Sequence, residues 1–387
     1  MDQHQPHDRA HPRGGPRTGP DHARGRTRAR TRGRARAAAL LLAAGAVAGG
    51  GAPAASAAGA AEAEVLTPVC SPDLPIEHPG CAAGRTYRGA PAPTGEAGEL
   101  VHLSGPDRFA TAAEIAEHGF PEADVAVLVS GEDAHLVDAL SAAPLARSLA
   151  APLLLATRDA VPAATAAYLR EHGVRSVLLV GGPGSLGELT GKRLQTLGVT
   201  SVGRVAGADR YATSRAVAEL LPPAEHGWAA SGEQAHLVDA LAASGPAARL
   251  REPLVLVADD DPIPASIALR LLGVTSTTVA GGPAGVTPEA LAPLPTPRRA
   301  EGLDRYGTAA AVALEGVQRG VDAADVVLAP GEQAHLVDAL AAGPLGRATL
   351  LAANDPSAYE VAEAWFDTHG LGRGTAVGAV EVEGGDA

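Results

Sequence analysis

The chain has 387 residues, 46% of them hydrophobic but with only three Phe, five Tyr and two Trp, and a formal net charge of −13. That length allows two to four domains, and a core of Ala, Leu and Val favours helices packed closely on a sheet. The acidic balance argues against a nucleic-acid binder, which needs a basic surface.

The charge is unevenly placed. Residues 1–36 carry ten Arg and three acids, and the apolar stretch Ala37–Ala60 follows directly. A basic start, a short apolar run and small residues form the pattern of a secretory signal. Gly45 and Gly49–Gly51 interrupt the run too early for a membrane-spanning helix of about 20 residues. Segment 1–57 therefore reads as a signal peptide, cleaved near Ala57. Cys70 and Cys81 are the two cysteines of the chain, in "VCSPDLPIEHPGC", and an exported context favours one disulfide between them. Only His78 lies between them, so zinc, which takes four ligands, is not expected there. Segment 58–99 reads as a linker with a small stapled loop.

From there the chain repeats itself. "LSGPDRFATA" (Leu103–Ala112), "RVAGADRYATS" (Arg204–Ser214) and "AEGLDRYGTAA" (Ala300–Ala310) form one set of blocks. "GEDAHLVDAL" (Gly131–Leu140) and two copies of "GEQAHLVDAL" (Gly232–Leu241, Gly331–Leu340) form a second. "VLLVGGPGSL" (Val177–Leu186) and "TTVAGGPAGV" (Thr277–Val286) form a third. The Asp-Arg pairs recur after 102 and 95 residues and the decapeptides after 101 and 99, so the chain is a tandem triplication.

Within the first unit, Phe109, Ala112, Ala113 and Ala116 recur at helical spacing near Asp107. Asp124–Ser130 is a short apolar run suited to a buried strand, and the decapeptide then opens a helix with Leu136, Ala139, Leu140 and Ala143 on one face. Pro152–Ala156 reads as a strand, Pro162–Glu171 as a helix, Ser176–Gly182 as a strand, Leu186–Thr196 as a helix and Ser201–Gly207 as a strand. Unbroken apolar strands alternating with helices imply parallel pairing with both faces covered. The fold class is α/β: three tandem parallel-sheet modules of flavodoxin-like shape. In such sheets a ligand sits beyond the carboxyl ends of the strands, where the Gly-Glu and Gly-Gly loops both open.

A hydrolytic triad is a poor reading of Ser130, Glu132, His135 and Asp138, because Pro330 replaces the Ser in the third copy. A metal set built from the same spacing is also disfavoured, since its first members belong to a loop. Asp138, Asp239 and Asp338 read as carboxylates in the first turn of a helix, accepting backbone N–H bonds. Glu132, Glu233 and Glu332 stand at the strand exits, where structure alone does not demand an acid. Arg108, Arg210 and Arg305 are either locked to their own Asp or offered to a carboxylate or phosphate in fork geometry. In a chain with one Lys they are the leading anion-binding candidates.

Taken together, "GADRYATS", "SGEQAHLVDALAAS", "PLVLVA" and "VAGGPAGV" resemble the type 2 cell-wall-binding repeat of Gram-positive surface proteins. The resemblance implies three modules packed about a pseudo-threefold axis, holding a secreted protein non-covalently to an anionic secondary wall polymer. It places ligand-binding positions at Asp107, Arg108 and Thr111; Asp209, Arg210 and Thr213; Asp304, Arg305 and Thr308; and at Glu132, Glu233 and Glu332. His135, His236 and His335 depart from the family pattern, which commonly has an aromatic there. The segments implied are 100–202, 203–297 and 298–387. The third is incomplete: only Gly378 echoes the Gly-Gly loop, and its last helix and strand are missing or supplied by a neighbour. The expectation is a non-catalytic wall anchor without cofactor or metal. The rivals are an enzyme or modifier of peptidoglycan hydrolases and a surface-layer component that binds a protein partner.

Overall fold

A computed structural model describes residues 99–332, 335–352 and 356–380. The expected signal peptide, the linker and the Cys70–Cys81 pair lie outside the described residues. Among those described, no helix is long and apolar enough to cross a membrane.

The first module runs α1 (Arg108–Gly119), β2 (Val125–Ser130), a 3-10 turn (Asp133–Ala139), α2 (Ala142–Ser148), β3 (Leu153–Ala156), α3 (Ala163–Glu171), β4 (Ser176–Val180), α4 (Glu188–Thr196) and β5 (Ser201–Val205). The second repeats it with α5 (Arg210–Ala218), β6 (His226–Ser231), α6 (Leu237–Leu250), β7 (Leu254–Val257), α7 (Ile263–Leu271), β8 (Ser276–Ala280), α8 (Pro288–Leu291) and β9 (Pro297–Ala300). The third has α9 (Arg305–Gln318), β10 (Asp325–Pro330), α10 (Leu336–Leu340), β11 (Ala348–Ala352), α11 (Pro356–His369) and β12 (Arg373–Val377). Every strand read from the first unit is present; β2, β3 and β4 are short apolar runs buried on both faces, whereas the edge strand β5 is largely half-buried.

All three sheets are parallel, in the orders β3-β2-β4-β5, β7-β6-β8-β9 and, with Glu99–Leu103 as β1, β11-β10-β12-β1. Numbered within a module, that order is 2-1-3-4, the flavodoxin-like arrangement. The fourth strand of the third sheet is β1 (Glu99–Leu103), which pairs with β12 from Glu99↔Arg373 to Leu103↔Val377. The neighbour that completes the third module is therefore the start of the first. Boundaries at 202/203 and 297/298 cut β5 and β9, each of which belongs whole to the sheet of the module before it and leads into the first helix of the next. Among the described residues no helix stands between β12 and β1, where modules one and two have α4 and α8.

One core joins the three modules. Leu136, Val137 and Leu140, Leu237, Val238 and Leu241, and Leu336, Val337 and Leu340 are all buried in a single apolar cluster. The apolar half of each decapeptide thus points to the pseudo-threefold axis, and the outer faces of the sheets form three separate smaller cores. Gly343 shows how close the approach is. A Cβ there would lie 2.7 Å from Ala143 Cβ and 2.8 Å from Ser244 Oγ, one atom from each of the other modules. The extra residue of the second module has a local effect: α6 runs unbroken over 14 residues with Pro246 inside it. In the first module Pro144 sits in the first turn of a restarted helix, where its missing N–H costs nothing.

Candidate functional site

The Asp-Arg block and the Gly-Glu block are two halves of one structure. Asp107 caps α1, its Oδ1 accepting from Phe109 N at 2.9 Å and Ala110 N at 2.8 Å. Asp209 and Asp304 cap α5 and α9 in the same way, accepting from Ala212 N at 2.7 Å and Gly307 N at 2.8 Å. The buried hydroxyls of Thr111, Thr213 and Thr308 accept from the N–H of Gly105, Gly207 and Gly302 at 3.0, 3.0 and 3.1 Å, folding the preceding loop onto the helix start.

The Arg then reaches the second block. Arg108, Arg210 and Arg305 each donate Nη1 to the carbonyl of Gly131, Gly232 and Gly331, at 2.7, 3.0 and 2.7 Å. The aromatic that follows covers the same glycine: an added Cβ would meet the ring of Phe109, Tyr211 or Tyr306 at 2.8, 2.3 or 2.5 Å. Only Gly fits under the ring. The three modules differ beyond this clamp. Arg108 also pairs with Asp133, which is Gln234 in the second module and Gln333 in the third. Among the described residues, neither Arg210 nor Arg305 forms an ion pair.

The three Glu residues have unlike surroundings. Glu132 Oε1 accepts from Arg158 N at 3.0 Å, and Glu233 Oε1 accepts from Tyr211 Oη at 2.9 Å. Burial, reinforced by that Glu233 contact, pushes the Tyr211 hydroxyl up to about 12. Glu332 is exposed. The main chain turns tightly after each of them, His135, His236 and His335 N donating to the carbonyl of Glu132, Glu233 and Glu332 at 2.9–3.0 Å. All three imidazoles are half-buried.

Asp239 does lie in the first turn of α6, but its carboxylate packs against the backbone of Gly281 instead of capping the helix; a Cβ on Gly281 would be 2.3 Å from its Oδ2. The start of α6 carries no side-chain cap; the Asp of the Asp-Arg block caps the preceding helix of the module instead. Asp138 and Asp338 occupy the same place in the first and third decapeptides. Burial raises the Asp239 carboxyl above the usual range, against the opposing pull of His236 and of Arg305 from the next module. Asp239 therefore marks a seam, with the Gly-Gly loop of one module on one side and the Asp-Arg block of its successor on the other. This is also the topological switch point, between the first and third strands of the sheet, where α/β proteins hold ligands.

A second set of residues holds the Gly-Gly loop and was missed in the sequence. Arg204 Nη1 and Nη2 donate to the carbonyls of Gly181 and Leu186, and Arg299 to those of Gly281 and Val286, at 2.5–2.8 Å. His102 takes their place in the third sheet, its Nε2 2.9 Å from Gly378 O. Gly181, Gly281 and Gly378 share a left-handed φ of 118°, 102° and 65°, so Gly378 is the structural counterpart of the loop glycine. The signal was present: each of these residues stands five positions before the Asp of its Asp-Arg pair.

Three interlocked α/β modules with a repeated, clamped loop pair at the strand exits define a cell-wall-binding repeat protein, associated with the wall. Residues 102–189 and 204–291 each match the family described as "Cell wall binding domain 2 (CWB2)". It is similar to the N-acetylmuramoyl-L-alanine amidase LytC of Bacillus subtilis (strain 168), 31% identical over 212 residues, 54% of this chain and 42% of that one. It also matches the amidase enhancer of the same organism, 26% identical over 41% of this chain and 22% of that one. Among solved structures, Cwp6 from Clostridium difficile superposes with a TM-score of 0.65 at 24% identity, covering 74% of this chain and 46% of that one. Cwp8 from Clostridium difficile gives 0.60 at 27% identity, covering 72% and 49%. The chain spans less than half the length of each of these proteins.

Proposed function

We propose that the chain is a secreted, non-catalytic anchor that holds an anionic secondary polymer of the wall through its modules. One observation carries this reading: every module fixes a guanidinium at the same loop by an Nη1 bond to a glycine carbonyl, and in the second and third modules, where among the described residues no acid pairs with it, the rest of the fork is left for an anion. Carried in series on one rigid body, weak sites gain through effective concentration, which suits a long polymer. The non-catalytic part draws support from Ser130 and Ser231. Both are 1% exposed, and their hydroxyls accept from the N–H of Glu132 and Glu233 at 3.2 Å, so neither is presented as a nucleophile.

The test is co-sedimentation of the protein with Gram-positive sacculi, half of them stripped of phosphodiester-linked polymer. The expected result is binding that is lost on stripping and weakened by salt. Equal sedimentation with both preparations would remove the anionic polymer as ligand.

A further inference from the structure

The second module carries a feature its siblings lack. Ile263, Ile267 and Leu271 on α7 are 50%, 52% and 77% exposed. Spaced by four, they form an aliphatic ridge about 12 Å long on one face of the helix. The equivalent helix of the first module, α3, has Ala163, Ala167 and Glu171 at these positions. The third module carries the complementary shape. Between α9 and α11 lies an open trough of about 530 Å³ lined by Ala310, Leu314, Val361, Ala364 and Trp365, with Thr368 and His369 among its polar members. Leu314 is 41% exposed there. Ridge and trough lie on outer faces of different modules and cannot meet within one chain.

We propose that the ridge on α7 of one copy docks into the α9–α11 trough of a second copy, giving head-to-tail association. Charge selects the partner and the sense. Arg270 is exposed beside Leu271 at the carboxyl end of α7, with Nη2 bonded to Pro293 O at 3.1 Å and Nη1 left over, and Asp367 is exposed on α11 near its own carboxyl end, with Glu363 one turn before it. The opposite end of α7 carries the exposed triplet Asp259, Asp260 and Asp261. With the helices docked in the same sense, Arg270 meets Asp367 and the triplet lies away from it; in the reversed sense the triplet would face Asp367 and Glu363. All three helices run from the strand-exit edge toward the strand starts, so same-sense docking leaves the loop edges of every copy facing one way. That geometry lets copies spread side by side across a surface while each keeps its loops toward it. The contact joins two different patches, so it propagates unless the rotation closes a ring. Its size, well under the ~800 Å² per partner of stable complexes, makes it weak and dependent on concentration.

The experiment is sedimentation equilibrium of the full chain up to about 1 mM, with a ridge variant (Ile263→Ser, Ile267→Ser, Leu271→Ser) and a trough variant (Leu314→Glu, Ala364→Glu). The wild type should show a weight-average mass that climbs past the dimer. Each variant alone should remain monomeric, and an equimolar mixture should reach a heterodimer and stop, since only one intact ridge then faces one intact trough. All the substituted side chains are exposed, so circular dichroism should be unchanged. A wild type that stays monomeric overturns the proposal. So does a ridge or trough variant that still self-associates, or a mixture that gives no heterodimer.

Discussion

His102 Nε2 lies 2.9 Å from the carbonyl oxygen of Gly378, and this bond fastens the first described strand to the last. Around it, β1 adds a full parallel ladder to β12, and Gly378 N returns a bond to Leu103 O at 3.0 Å. The three modules thereby form a ring closed by main-chain pairing. Val101 sits mid-strand opposite Thr375. Val101→Pro removes a ladder donor and should cost about 3 kcal/mol. In hydrogen exchange the amides of Arg373–Val377 should lose protection first, ahead of those in β2 and β6. Uniform loss across all three sheets would mean that the ring opens only by global unfolding.

The Arg clamp has a structural role independent of any ligand. Arg210→Ala leaves the Gly232 carbonyl without its side-chain donor, and a lost bond of this kind costs about 1–3 kcal/mol. Arg210→Lys keeps the charge but loses the fork. Thermal melts should therefore order the proteins wild type, Lys, Ala. Wall binding, if the guanidinium itself recognises the anion, should fall in the Lys variant by more than its small loss of stability explains.

Asp133 separates the first module from the other two. It neutralises Arg108, while the sequence has Gln at the matching positions of the second and third decapeptides. Asp133→Gln should free that guanidinium and strengthen sedimentation with unstripped sacculi several-fold at low salt, the gain shrinking as ionic strength rises. Arg108→Ala should weaken binding less than Arg305→Ala does. Both comparisons are made on proteins matched for melting temperature.

Much of this was readable in the sequence, for a physical reason. Strands buried on both faces leave unbroken apolar runs such as Val125–Ser130, and a period of about a hundred residues recurs only in a triplicated unit. The decapeptide mixes two messages that spacing alone does not separate: its Leu and Val residues face the shared core, while its Gly and Glu shape the loop. Asp239 read as a cap because acids in a first turn usually are, but packing against Gly281 claimed its carboxylate. The ring closure was hidden because a periodic reading assigns every strand to the unit it follows. β1 opens the segment 100–202, so a reading in chain order gives it to the first unit, whereas it completes the sheet of the third.

His226 gives the fold an acid limit. It is buried at the start of β6, its Nδ1 2.9 Å from Ser276 Oγ, its ring edge-on to Trp228, and its Nε2 without a partner among the described residues. Burial, and secondarily the Arg319 guanidinium, lowers its pKa from 6.5 to about 3. The unfolded chain therefore binds a proton that the folded chain refuses between these values. The stability this neutral imidazole contributes is fully present above pH 6.5 and is lost as pH falls toward 3, by up to about 1.4 kcal/mol per unit. Glu252 nearby has the opposite tendency: burial raises its carboxyl, although Arg319 and Trp228 Nε1 hold it by hydrogen bonds. Because Glu252 is shared by both proteins, the comparison of wild type with His226→Asn isolates the imidazole. Urea midpoints between pH 6.5 and 5 should fall more steeply for the wild type. Parallel slopes would place the acid limit elsewhere, in the carboxylates that both proteins share.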